Sequence, residues 1–364
     1  MTVAAIADII EQLAPLDQAE DFDNVGLLVG DKNATVNGVL VTLDTLENVV
    51  EEAIKKNCNL IVSFHPIIFS GLKKLTGKTY VERVVMKAVK HDIALYAIHT
   101  ALDNSPAGVN AKICEVLGIG NPKILIPKKN SLKKLTTYVP LMNLEMVKNA
   151  LFQAGAGNLG NYSECGFHAL GEGTYKANAA ANPTLGEKGK RHTEKEAMLS
   201  VIYQGHRETE ILRALLDKHP YEEVAYEVTL LENRDQTVGM GMVGHLDEPM
   251  EEREFLAHIK KTMKTGVVRH SALLGKPVHK VAVLGGSGAF AIGAAKAAGA
   301  DMFITADVKY HQFYEAEGQL IIADIGHFET EQFTKDLLVD YLTKKIPNFA
   351  VRLSESLTNP IKYH

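Results

Sequence analysis

The sequence predicts an α/β protein: two α/β halves forming one metal-binding core, with a ferredoxin-like α+β domain inserted between them. Three observations carry this. Short, apolar, β-branched runs alternate with amphipathic helical stretches at both ends of the chain, which is βαβ alternation. Near residue 129 the texture changes, where the basic turn Lys128, Lys129, Asn130 leads into KLTTYVP, the alternation of a sheet with one solvated face. After about residue 237 the βα alternation returns. The expected domains are therefore 1–128 (first half of the core), 129–236 (insert) and 237–364 (second half). At roughly 150 residues per domain, a chain of 364 residues has length for two or three separate cores.

The first half opens with a helix in which Ile6, Ile9, Ile10 and Leu13 recur at helical spacing, stopped near Pro15. Strands are predicted at 38–44, 59–63, 93–98 and 123–127, separated by helices at 46–57, 80–90 and 108–117. Helical crossovers between strands imply a largely parallel sheet. In the insert, KLTTYVP is followed by a helix at 143–154 and a Gly/Asn/Ala-rich region from Gly155 to Gly189. Then SVIYQG reads as a strand, ETEILRALLDKH as an amphipathic helix and EEVAYEVTLLE as a strand. The second half has helices near 252–264, 289–298 and 309–317 and strands at 280–286, 301–306 and 319–324. It closes with a long helix from about 328 to 344.

Composition limits the function. With 39 Lys and Arg against 44 Asp and Glu, the formal charge of -5 supplies no field for nonspecific nucleic-acid or membrane-surface binding. The opening MTVAAIADIIEQLAP lacks a basic leader region and the chain has no long apolar run, so a cytoplasmic protein is expected. Cys58, Cys114 and Cys165 are scattered, odd in number and form no CxxC, so neither a disulfide framework nor a thiolate zinc site is indicated. Any metal must be held by His and carboxylates.

In open parallel sheets ligands bind beyond the carboxyl ends of strands. Those positions carry Asp44 after GVLVTL, His65 in SFHP, His99 and Asp103 in HTALDN, and His327 in DIGHFETE. His327 and Glu331 lie four residues apart on one helix face, so both can reach one ion. Imidazole plus carboxylate with open positions suits Zn, Mn, Fe, Co or Ni, and open positions are what metal-activated water requires. A surface i,i+4 pair is the competing reading. A second candidate is the loop GGSGAFA (285–291), which matches a relaxed dinucleotide fingerprint as Gly286-x-Gly288-x-x-Ala291, with Asp307 about twenty residues on as a ribose carboxylate. The alternative is a tight strand-to-helix turn.

The strings FDNVGLLVGD, NLIVSFHPIIFSGLKKLT, HTALDNSPAGVN, GGSG, TADVKYHQFYEA and DIGHFETE resemble the NGG-interacting-factor-three-like family, also labelled GTP cyclohydrolase I type 2 homologues. HPYEEVAYEV resembles the end of the PII-like or CutA-like insert of its longer bacterial members. The resemblance implies a two-metal site in a cleft and a hexameric ring. It assigns His65 and His327 to one metal, Asp103 to the other, and Glu331 as the bridge. The family usually has two histidines before the proline, and here the first is Phe64, which leaves one tight site and weakens the second. The expected chemistry is a metal-dependent hydrolase acting on a nucleotide or related small molecule. Asp103 or Glu329 would be the general base, and Lys309 and His311 would neutralise a phosphate or an oxyanion. The rival class is a non-catalytic metal-binding assembly protein.

Overall fold

A computed structural model describes residues 1–364. The chain divides into two compact units, one of Met1–Pro127 with Thr237–His364, the other of Lys128–Gln236. No helix is long and apolar enough to cross a membrane.

The first unit holds two sheets. Its five-stranded sheet runs in the order Gly26–Val29, Ala94–Ala97, Leu60–Ser63, Val39–Thr42, Val351–Leu353. All neighbours are parallel except Gly26–Val29, which pairs antiparallel at the edge. The three central strands are buried at every residue, as expected where both faces are covered. Two helices of this half have identifiable starts: Thr2 and Thr79 accept from the backbone N–H of Ala5 and Glu82, opening Val3–Glu11 and Tyr80–Lys90.

The second sheet has six strands, ordered Arg269–His270, Ile321–Asp324, Met302–Ala306, Val278–Ser287, Asp235–Met250, Ile119–Lys128. Val278–Ser287, Met302–Ala306 and Ile321–Asp324 pair in parallel. Asp235–Met250 and Arg269–His270 join them antiparallel, so this sheet is mixed rather than largely parallel. One apolar cluster spans both sheets of the unit, from Val41, Val62 and Tyr96 to Val281, Ile304 and Ile321.

The second unit follows the order strand, helix, strand, strand, helix, strand: Leu132–Pro140, Leu144–Gln153, Gly166–Lys176, Arg191–Gln204, Glu208–Lys218, Tyr226–Leu230. Its antiparallel sheet is ordered Gly166–Lys176, Arg191–Gln204, Leu132–Pro140, Tyr226–Leu230. Leu135, Val139, Leu199 and Val201 pack with Val147, Leu151, Ile211 and Leu215 from the two helices.

Three expectations are corrected. The helix expected over 328–344 is two helices, His327–Glu331 and Thr334–Lys345. The Gly/Asn/Ala-rich region contains the eleven-residue strand Gly166–Lys176, whose mostly exposed residues gave no apolar alternation to read. The helix expected at 309–317 is a 3₁₀ segment, Tyr310–Ala316.

Candidate metal centre

The carboxyl ends of both sheets in the first unit supply the site. In the five-stranded sheet the chain leaves its strands at Asp44, His65 and His99, and lateral backbone bonds hold these exits side by side. His65 N–H donates to Leu43 C=O (3.0 Å) and His99 N–H to Phe64 C=O (2.9 Å). From the six-stranded sheet come Gly286, Asp307 and His327, the last opening a short helix that carries Glu331.

His65, His327 and Glu331 converge, with one donor atom from each lying within 4.8 Å of the others. Glu331 Oε2 is 3.2 Å from His65 Nε2 and 3.3 Å from His327 Nε2. Despite that proximity it is a buried oxygen with no hydrogen-bond partner, because the approach angles are wrong for one. Three donors aimed at a common point rather than at each other are what a shared cation requires. The outer ring nitrogens are committed elsewhere. His65 Nδ1 donates to Asp44 (2.8 Å) and His327 Nδ1 to Asp307 (2.7 Å), since a carboxylate can only accept. That fixes each ring with Nε2 inward, the arrangement common to metal-ligating histidines.

The electrostatics agree. Burial disfavours charge on His65, but the hydrogen bond to Asp44 and the Glu331 carboxylate close by outweigh it and raise the imidazole to about 10. Burial likewise opposes charge on His327, and Glu331 and Asp307 lift it to about 9. Glu331 is held down at about 2 by the two histidines against its burial. The pocket is thus built around a carboxylate that draws positive charge to its two neighbours, in the form of protons or of a cation that displaces them.

Asp103, on the helix His99–Asn104, is half-buried, and its inaccessible Oδ1 has no hydrogen-bond partner. Burial and the Glu331 charge push its carboxyl well above the ordinary range. It adjoins the converging trio without being a fourth member of it. An acid held neutral in this way is a poor general base unless a cation stands beside it. His99 is not among the converging donors; its Nδ1 donates to Asp23 (2.8 Å) and its ring packs against Phe64 and His65. Phe64 itself is fully buried, with its ring centroid 4.8 Å from that of His65.

Two other expectations are corrected. Glu329 projects away from the trio and accepts from Asn359 (3.3 Å), because a position two residues from His327 and two from Glu331 faces the other side of the helix; this argues against Glu329 as the general base. The dinucleotide reading of the glycine loop is corrected at its first glycine and its carboxylate: Gly286 N–H is already spent on Thr330 Oγ1, Gly285 N–H on Asn110 Oδ1, and Asp307 is bound to His327. Gly286 sits at φ +67°, and a Cβ there would lie 2.4 Å from Glu331 Oε1, so glycine is required to make room for the carboxylate. Lys309 and His311 are exposed just beyond Asp307, His311 against the rings of Tyr310 and Tyr314.

Sequence reasoning missed three supports of the site. Asp23 lies in the FDNVG string but carries no spacing that ties it to His99. Asp307 was read as a ribose carboxylate. Thr358, whose hydroxyl donates to Asp44 Oδ2 (2.7 Å), lies in a C-terminal tail with no local pattern at all.

Comparison with known proteins matches the chain over nearly its whole length. A bacterial protein from Bacillus subtilis named GTP cyclohydrolase 1 type 2 homolog is 37% identical over 98% of this chain and 97% of its own. Its namesake from Halalkalibacterium halodurans is 36% identical over 93% and 91%. Among solved structures, a Bacillus cereus protein related to NIF3 superposes with a TM-score of 0.86 at 35% identity, covering 100% of this chain and 99% of that one. A Staphylococcus aureus protein does so at 0.78 and 28%, with the same coverage. The family model described as Duf34/NIF3 (NGG1p interacting factor 3) matches residues 1–360, a span containing every donor of the convergent trio and the carboxylates that orient it; the chain belongs to that family.

Proposed function

We propose that this chain is a metal-dependent hydrolase acting on a nucleotide or related small molecule, with His65, His327 and Glu331 holding the ion. The observation that carries this reading is the buried, unpartnered Oε2 of Glu331 between two inward-facing imidazole nitrogens. When bound, a divalent ion of the Zn, Mn, Fe, Co or Ni kind supplies Lewis acidity to an oxygen in its open positions. Asp44 and Asp307 hold the imidazoles in the ligating tautomer. Asp103, which adjoins the trio, would be held ionised by the charge of a bound ion and would then serve as the proton acceptor. Lys309 and His311, exposed beyond Asp307, attract the anionic part of a substrate.

One observation favours a second reading, a non-catalytic metal-binding assembly. Phe64 closes with a buried phenyl ring the position where the family resemblance expects a second imidazole, which argues for one tight ion rather than two. We further read the 128–236 unit as a ferredoxin-like, PII-like insert on its strand order, and the protein as a cytoplasmic homo-hexamer. Exposed apolar residues such as Met142 (85%) and Phe167 (68%) support association, and three unpaired cysteines suit a reducing compartment. A light-scattering mass near one or two subunits would sink the hexamer.

The discriminating experiment measures metal content of the purified protein, then hydrolysis across a nucleotide panel with and without added Mn or Zn. Metal-dependent turnover that disappears in His65→Ala supports the enzyme. Stoichiometric metal with no turnover on any nucleotide supports the binder.

A further inference from the structure

A cavity of about 550 Å³ in the 128–236 unit belongs to neither the trio nor its supports. That volume falls in the range of small-molecule sites. Its inner wall is Glu196, in the strand Arg191–Gln204, only 7% exposed. The Tyr221 hydroxyl donates to Glu196 Oε1 at 2.6 Å, and Oε2 has no protein donor. Glu196 forms no ion pair. A carboxylate this buried with one neutral hydrogen bond is under-compensated, since burying a charge is costly unless it is paired. It packs directly on Gly173, where a Cβ would lie 2.0 Å from Oε2, so the opposite strand gives way to keep that oxygen open.

The remaining walls have the same sign. Tyr175 and Tyr221 meet edge to face at 5.7 Å and present π-surface to the cavity. Burial and the Glu196 carboxylate hold the Tyr221 phenol well above its usual value, so it stays a donor. Glu172, Glu222 and Glu223 line the rim, opposed by the single cation Lys176. Carboxylates and electron-rich ring faces together repel anions and attract cations. A bare metal ion would need several oxygens converging within about 2.6 Å, whereas this space is many times an ion's size.

We propose that this cavity is a binding site for a small organic cation, an alkylammonium or guanidinium, whose charged head pairs with Glu196 and whose stem lies against Tyr175 and Tyr221. The site goes beyond the hydrolase reading and is independent of it. The test is calorimetric titration of the full chain in chelator-treated buffer with 1,4-diaminobutane and with tetramethylammonium. Acetate, inorganic phosphate, Ca²⁺ and a lysine-containing tripeptide serve as comparisons. The diamine is expected to bind saturably, once per chain, and more weakly as salt is raised. Glu196→Gln should weaken it roughly tenfold or more, and Tyr175→Leu roughly three- to fivefold. Far-UV circular dichroism checks both variants, and either one suffices if the other fails to fold. His65→Ala should leave diamine binding unchanged, which separates this site from the metal centre. No saturable binding of either organic cation at tens of millimolar, equal binding by folded Glu196→Gln, or preference for Ca²⁺ or an anion would overturn the proposal. Tighter binding of the tripeptide would overturn its assignment to a free small molecule.

Discussion

Replacing Phe64 by His tests the reading of the metal centre at its most unusual residue. The side chain is fully buried and packed on His65 and His99, in the same cluster as Val62 and Ile98. Full burial of such a side chain is worth about 1.5–3 kcal/mol, part of which a smaller imidazole keeps. The two ring nitrogens then need partners, and a buried polar group without one costs about 1–3 kcal/mol. Without metal the variant should therefore lose about 2–4 kcal/mol, which for a folding unit of about 250 residues lowers Tm by roughly 4–8 °C. A metal that uses the new imidazole as a donor restores stability through mass action, about 2.7 kcal/mol at a hundredfold excess over Kd. The assays are scanning calorimetry with and without Zn or Mn, and metal analysis after gel filtration. The native protein should carry nearer one ion per chain than two, and Phe64→His nearer two, with most of its Tm deficit recovered on adding metal. Two equally tight ions in the native protein, or a variant whose metal count and Tm ignore added metal, would refute the reasoning and show that another group fills that position.

Asp44→Asn and Asp307→Asn remove the carboxylates that hold the two imidazoles; each should weaken metal binding roughly 10- to 100-fold by competition titration. Glu52 anchors the C-terminal tail through Ser354, Ser356 and the Glu355 N–H, and Lys56 and these donors hold its carboxyl near 2 against burial. Because the folded value lies below the ordinary 4.5, that stabilisation is present above pH 4.5 and lost as pH falls toward 2. Glu52→Gln should therefore lower Tm at neutral pH, and its difference from native should shrink between pH 4.5 and 2. Deleting 130–235 behind a short flexible linker should leave a folded, metal-binding core, because Ile119–Lys128 and Asp235–Met250 are neighbours in one sheet. A product that is insoluble and cannot be refolded would count against an inserted unit.

Much of the core was legible in the chain itself. Runs such as LIVS and MFITA are mostly apolar because both faces of a central parallel strand are covered, which buries every residue, and that need is written locally. The pair His327 and Glu331 was legible for the same reason, since helical spacing alone puts them on one face. Local pattern ended where contacts became distant. Gly166–Lys176 faces solvent along most of its length, so no alternation marks it as a strand; pairing with Arg191–Gln204 makes it one. Glu329 has the right chemistry and the wrong side of a single turn. The carboxylates that orient the site are separated from their partners in sequence, Asp23 from His99 by 76 residues and Thr358 from Asp44 by 314. Spacing along a chain carries no trace of such neighbours, because what brings them together is the lateral order of strands. Residue types and helical periodicity thus determined which groups could bind a metal. Only the packing of two sheets, carboxyl ends together, decided which of them face one point and which are spent holding the others.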